Sequence, residues 1–328
     1  MQSPALESFY EQLRGRIDRF DEQALANFGN CTAAVKAGDT TARVDLAAGL
    51  LVAAFSCPSI TEPLYDGFAR AWLAAKYPKR PPAKSYAANL KRRCPIPDAL
   101  MDALIRLHKD TSELGAEKLT ARVVNLGAEL SQEFTDLNEQ LAGQHQGATH
   151  SEVKAIPALL DVGSLARLPT GSLGADLLTT LTANGFDAEV LDRQAIGLAK
   201  LPRRLRYLNT RILQMHDIWH LVAGYQTTGL HEVGISAFQL AQFGHGYSAM
   251  FLASVLSLGC ARQPEGLPIL MQIVSEGWLH GRTAPAFMDI AWEEQWHLST
   301  ADIRRTFAIT PFRSELPAGL LESLARVS

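Results

Sequence analysis

The chain has 328 residues, 47% hydrophobic and 20% charged, with a formal net charge of −3. It is long enough for one large core or two domains, too apolar for intrinsic disorder, and lacks the positive field that marks nucleic-acid binders. Its four cysteines, Cys31, Cys57, Cys94 and Cys260, form no C-x-x-C pair, which fits reduced thiols better than a disulfide framework. The start, MQSPALESFYEQL, has no basic residues followed by an apolar run, so a cytoplasmic protein without a secretory leader is expected.

Over 5–28, Leu6, Phe9, Tyr10, Leu13, Ile17 and Phe20 recur at helical spacing, which predicts an amphipathic helix, and 97–142 continues in the same way. Between them, ARVDLAAGLLVAAF (42–55) predicts a buried helix. No segment alternates as a strand does, so the fold class is all-α. Residues 70–97 carry Arg70, Lys76, Lys79, Arg80, Lys84, Lys91, Arg92 and Arg93 and no acidic side chain. They read either as a solvated face or as a strip that docks on anionic lipid, at the inner face of a membrane, or on a phosphorylated ligand. The glycine-rich, polar stretch 141–157 reads as a linker, which divides the chain into a helical N-terminal domain of unknown role (1–150) and a second domain (151–328).

In the second half, LPTGSLGADLLTTLTANGFD (168–187) predicts a helix ended by Gly185, and no phosphate-binding glycine pattern accompanies it. RRLRYLNTRILQMHDIWHLVAG predicts one long helix that stops at Gly224, with a second helix beginning near Leu230. His216 and His220 are four residues apart, so both imidazoles lie on one face and can share a divalent ion. Asp217 can ligate beside them or orient an imidazole, and a helix hairpin would fold Glu232 back onto the pair. Such a donor set suits iron, zinc, cobalt or manganese. Aspartate at 217 does not fit a zincin peptidase, whose H-E-x-x-H helix needs the longer glutamate there. An HD-type phosphohydrolase would need a further histidine (His108, His145 or His150) and a late aspartate (Asp289 or Asp302), at spacings that do not match.

The pattern H-D-x-x-H, eleven residues, then E resembles the signature of the ubiquinone (coenzyme Q) biosynthesis protein 4 family. LPTGSLG upstream looks like that family's L-P-x-G-[ST]-x-G block. SEGWLHGRTAPAFMDIAWEEQWHLSTADIRRTFAI (275–309) looks like its closing E-G-W-x-x-G-[RK] and W-E-x-x-W segments. The resemblance covers roughly 155–312. It implies an all-helical fold, with His216, Asp217, His220 and Glu232 as metal ligands and site residues. It further implies action on a prenylated 4-hydroxybenzoate-type intermediate, where the ring carboxylate at carbon 1 is removed and replaced by hydroxyl. The alternative it carries is a non-catalytic lipid-binding scaffold that organises the other ubiquinone biosynthesis enzymes. A homodimer is expected.

From Val233 to Ala261 there is no charged side chain, although Gln239, Gln242, Gly244, His245 and Gly246 interrupt the run. It reads as a core helix, as the wall of a groove for a prenyl lipid, or as a membrane span. Gln239 and Gly246 are candidate substrate contacts, and so are Arg206 and Arg211 in the cluster before the metal helix, which otherwise reads as a solvated face. Trp278, Trp292 and Trp296 are expected as core anchors. Glu276, a charge in an apolar stretch, is expected to pair with Arg282.

Overall fold

The computed structural model describes residues 4–79, 84, 86–110, 122–145, 147–185, 193–194 and 197–326, and every regular element among them is a helix. Over 5–28, where the apolar period predicts helix, there are two helices, α1 (Pro4–Asp18) and α2 (Glu22–Ala26), and at Phe28 a third begins, α3 (Phe28–Lys36). The first break falls at Asp21, whose carboxylate accepts the Ala24 N–H at 2.8 Å, so capping overrides periodicity. α4 (Ala42–Phe55) is buried along its length, as its composition predicts. It is followed by α5 (Thr61–Leu73), α6 (Asp98–Asp110) and α7 (Gln132–Ala142). Part of the predicted 97–142 region, 111–121, lies outside the described residues, as does Arg80 of the basic segment.

Next come a short α8 (Val162–Leu165) and α9 (Leu173–Asn184), the latter ended by Gly185 as predicted. The long α10 (Arg203–Ala223) leads to α11 (Gly229–Phe243), α12 (Gly246–Arg262), α13 (Leu267–Thr283), α14 (Thr300–Thr306) and α15 (Leu320–Ala325). The charge-free run 233–261 is therefore two helices, parted at Gly244 and His245. No single described helix is long and apolar enough to cross a membrane. One pair bent by 119°, Ala42–Phe55 with Pro58–Lys76, passes that test by length and composition.

α11 and α13 are the closest-packed pair. A Cβ at Gly277 would lie 2.2 Å from the Gly234 carbonyl oxygen, and one at Gly281 would lie 2.6 Å from that of Phe238. The glycines of E-G-W-x-x-G-R thus let two backbones touch, and this fixes where α11 presents its first turn. α4 packs on α12 and α5 on α13, so one hydrophobic cluster runs from Tyr10 to Phe312. Trp278 stacks on Tyr65 with ring centroids 5.1 Å apart, and Trp292 is fully buried. Of the predicted linker 141–157, the first two residues close α7 and the described residues beyond them form no regular helix, yet His145, Ala148 and Ser151 are buried.

Glu276 does not pair with Arg282. Its carboxylate accepts from Gln272 at 2.6 Å, from Ser314 at 2.5 Å and from the Glu315 N–H at 3.2 Å. Six helical residues separate the two side chains, a turn of about 600°, which leaves them on different faces. Arg282 instead meets Glu62 of α5 at 2.8 Å, and Asp66 lies 3.7 Å away.

Because α4 and α5 cover the apolar faces of α12 and α13, deleting residues 1–123 is expected to drive the remainder into the insoluble fraction. A soluble, helical, monodisperse remainder by size-exclusion chromatography and circular dichroism would show instead that the second half closes on its own.

Candidate metal centre

The site is built on the hairpin of α10 and α11. Gly224, with φ +82°, ends α10 in the left-handed conformation, and the N–H groups of Gly224 and Tyr225 both return to the His220 carbonyl, at 3.0 and 2.9 Å. A Cβ at 224 would also press to 3.0 Å from Pro311. This curl brings the Tyr225 carbonyl to 3.3 Å from His220 Nδ1, which donates to it. In the neutral ring, His220 Nε2 then carries the lone pair.

α11 begins at Gly229, close to the predicted start, but Thr228 does not cap it with its hydroxyl. That hydroxyl donates to the Ala318 carbonyl at 2.9 Å, while Glu322 of α15 accepts the Gly229 N–H at 2.7 Å. The C-terminal segment therefore straps the hairpin, with Phe312 stacked on Tyr225 at 4.2 Å. At the other end, Glu139 of α7 accepts the Arg204 and Leu205 N–H groups, both at 2.9 Å, and so caps α10. These long-range caps have no local sequence signal.

Glu232, in the first turn of α11, faces both imidazoles. Its carboxylate oxygens lie 3.3 Å from His220 Nε2 and 3.7 Å from His216 Nε2. One ligand atom from each of His216, His220 and Glu232 falls within 4.8 Å of the others, and this trio could hold a metal ion. Asp217 stands beside the trio, where its Oδ1 accepts from His216 Nδ1 at 3.3 Å. Burial alone would push the His216 pKa down, but the hydrogen bond to Asp217 and the charges of Glu232 and Asp217 raise it overall. For Glu232 burial pushes upward, and the contact with His220 and the neighbouring imidazoles bring it below the ordinary carboxylate value.

Do these residues fit a cation? His220 Nε2 is buried and makes no hydrogen bond. It faces the Glu232 carboxylate at 3.3 Å, a contact that either a proton on Nε2 or a divalent ion between the two groups satisfies. The trio therefore fits a divalent metal, and the side chains of His216 and Glu232, 30% and 40% exposed, leave it open to a ligand. His231, the third histidine of the stretch, is turned away and accepts the Gln226 N–H at 2.8 Å. Among the other histidines, buried His108 bonds Tyr10 and Ser254 rather than approaching the trio.

Asp217→Asn keeps the shape and removes the charge that holds the His216 imidazole. Metal affinity is expected to fall at least about tenfold with the fold intact, by competition against a coloured chelator. Unchanged affinity would leave Asp217 a purely structural role.

Of the candidate substrate contacts, Arg211 is taken up by Glu293, whose two oxygens accept from it, and by Gln214 at 3.0 Å. Arg206 sits ten residues before His216, about 15 Å along the helix axis. Gln239 lies two turns beyond Glu232 on the same face of α11. Gly246 lines a small cavity with Ala53, Ala54, Leu240, Gly244 and Ala249. Gly244 makes room for a side chain of the protein, since a Cβ there would meet the His145 ring at 2.1 Å.

The family model for coenzyme Q (ubiquinone) biosynthesis protein Coq4 matches residues 124–313. The chain belongs to the Coq4 family. The Coq4 region begins about thirty residues before the stretch that the motifs alone pick out, and so takes in α7 with its capping Glu139. The mitochondrial ubiquinone biosynthesis protein COQ4 homologue of Rattus norvegicus is 27% identical over 178 residues, covering 53% of this chain and 65% of that one. The Homo sapiens homologue is 28% identical over 182 residues, covering 53% and 64%. The chain thus spans just under two thirds of the length of these relatives. A Nostoc punctiforme crystal structure, of a protein assigned to ubiquinone biosynthesis, superposes with a TM-score of 0.51 at 24% identity. It covers 65% of this chain and 98% of that one, a likeness of fold.

Proposed function

We propose that this Coq4-family chain catalyses the oxidative decarboxylation of a prenylated 4-hydroxybenzoate-type acid, in which the ring carboxylate leaves as carbon dioxide and a hydroxyl takes its place. The observation that carries the reading is the meeting of His220 Nε2, His216 Nε2 and the Glu232 carboxylate at an open face. His216, His220 and Glu232 would hold the metal, with Asp217 and the Tyr225 carbonyl holding Nδ1 of the two imidazoles. When bound, the ion supplies Lewis acidity toward the ring carboxylate or phenolate and, if it is iron, redox chemistry toward dioxygen. Ser236, Gln239 and Phe243 are buried along the same helix face as Glu232. At the far end Gly246, Ala249, Ala53 and Ala54 line only a water-sized cavity closed by Tyr86 and His145, so a tail of isoprene units would require these helices to part. The exposed Lys79, Lys84, Lys91 and Arg92 support delivery of such a lipid from an anionic membrane surface.

The test uses the full chain loaded in turn with iron, zinc, cobalt and manganese, and a prenylated 4-hydroxybenzoate labelled in its carboxylate. Labelled carbon dioxide together with a ring product bearing a new hydroxyl is expected with one of these metals. Tight binding without release of label under all four, with dioxygen present, would replace the enzyme reading by the scaffold one.

A further inference from the structure

Residues 225–228 join α10 to α11 and belong to no helix. Tyr225 is tied to His220 twice: its N–H donates to the His220 carbonyl at 2.9 Å, and its own carbonyl accepts from His220 Nδ1 at 3.3 Å. The partner of Nδ1 is thus a backbone group, so the place of the Tyr225 backbone decides how the His220 imidazole turns toward His216 and Glu232. Outside a helix, that backbone depends on what holds the Tyr225 side chain.

The ring is held on three sides. Phe312 stacks on it with centroids 4.2 Å apart, and the Phe312 N–H returns to the Ala223 carbonyl at 2.7 Å, which ties that residue to the end of α10. On the side of α11, a Cβ at Gly234, two residues after Glu232, would come within 3.2 Å of Tyr225 Cε1, so the glycine makes room for the ring. At its tip the hydroxyl lies 2.9 Å from His280 Nδ1 on α13, and His280 Nε2 lies 2.8 Å from the Thr310 carbonyl. A carbonyl only accepts. In the neutral ring His280 Nε2 therefore carries the hydrogen, Nδ1 carries the lone pair, and the Tyr225 hydroxyl donates to it. Tyr225 is 4% exposed, so without His280 this hydroxyl would be a buried donor that lacks its acceptor.

One run of hydrogen bonds thus leads from the Thr310 carbonyl through His280 and Tyr225 to His220. α13 is already locked to α11 through Gly277 and Gly281, and α11 carries Glu232. The imidazole and the carboxylate are in this way referred to the same helix.

We propose that His280 and Tyr225 are positioning residues of the His216, His220 and Glu232 centre, which set the angle of the His220 imidazole by anchoring the Tyr225 carbonyl to α13. The inference rests on that trio holding a metal, and it adds two residues that act through His220 and not as ligands.

The test uses the full chain loaded with cobalt(II), whose visible absorption reports the geometry of its ligands, with affinity measured by competition against a chelator. Tyr225→Phe keeps the ring and removes the donor, and His280→Leu removes the acceptor. Each is expected to shift the cobalt absorption and to lower affinity about tenfold. The double variant should bind no more weakly than the weaker single one, because both changes break the same bond. His280→Asn, whose side-chain oxygen can accept in place of Nδ1, should keep the wild-type absorption; set against His280→Leu, it decides the matter if Tyr225→Phe does not fold. A merely structural role would lower the melting temperature and leave the absorption and affinity of the folded protein unchanged. That result, losses that add in the double variant, or equal shifts in the leucine and asparagine variants would each overturn the proposal while leaving the metal centre intact. Wild type that takes up no cobalt overturns the metal centre, and the proposal with it.

Discussion

Replacing Glu62 by alanine is expected to destabilise the protein by about 3 kcal/mol, the cost of breaking a buried ion pair, with Asp66 at 3.7 Å still beside the Arg282 guanidinium. Glu62 is 1% exposed and the Arg282 side chain 5%, and their contact at 2.8 Å joins α5 to α13. Asp66 adds to the same cluster, where it accepts from Trp278 Nε1 at 2.9 Å and from the Tyr77 hydroxyl at 3.1 Å. The consequence reaches the metal centre, because α13 sets α11 through the Gly277 and Gly281 contacts and α11 carries Glu232. Chemical denaturation is the measurement, with Glu62→Gln as the milder control that keeps the shape. A loss under about 1 kcal/mol would mean that water reaches the pair and that α5 does not lock α13.

His220→Ala is expected to lower metal affinity by at least about a hundredfold, the second large effect. His220 is the most buried of the three candidate ligands, 2% exposed against 30% for His216 and 40% for Glu232, and its Nδ1 is held by a backbone carbonyl rather than by a mobile side chain. Removing it leaves one imidazole and a carboxylate, too few donors for a site that keeps an open position. Competition with a chelator reads the change directly, and circular dichroism separates it from unfolding. Affinity within about threefold of wild type would remove His220 from the ligand set.

What was legible from sequence was local. The span of α10, its stop at Gly224 and the return of Glu232 follow from a helical period, a left-handed glycine and a short turn, all within thirty residues. The all-α class followed from the absence of alternation. The break of 5–28 at Asp21 was missed because a single capping carboxylate outweighed a good apolar period. The true partners of Glu276 and Arg282 could not be read, since Glu62 is 220 residues from Arg282 and Ser314 is 38 from Glu276. Glu322 and Glu139 cap the two hairpin helices from equally remote positions. The packing of α4 on α12 was hidden for a related reason: both read as buried helices, and nothing in either says that the other is what buries it.

The most direct test of the central claim is elemental analysis of the full chain purified without added chelator. Close to one divalent transition-metal ion per chain is expected for wild type, with little in His220→Ala. Iron as the dominant element would agree with the redox chemistry proposed, and zinc alone would weaken it. Metal-free wild-type protein that takes up no iron, zinc, cobalt or manganese on dialysis would contradict the assignment of His216, His220 and Glu232 as a metal centre.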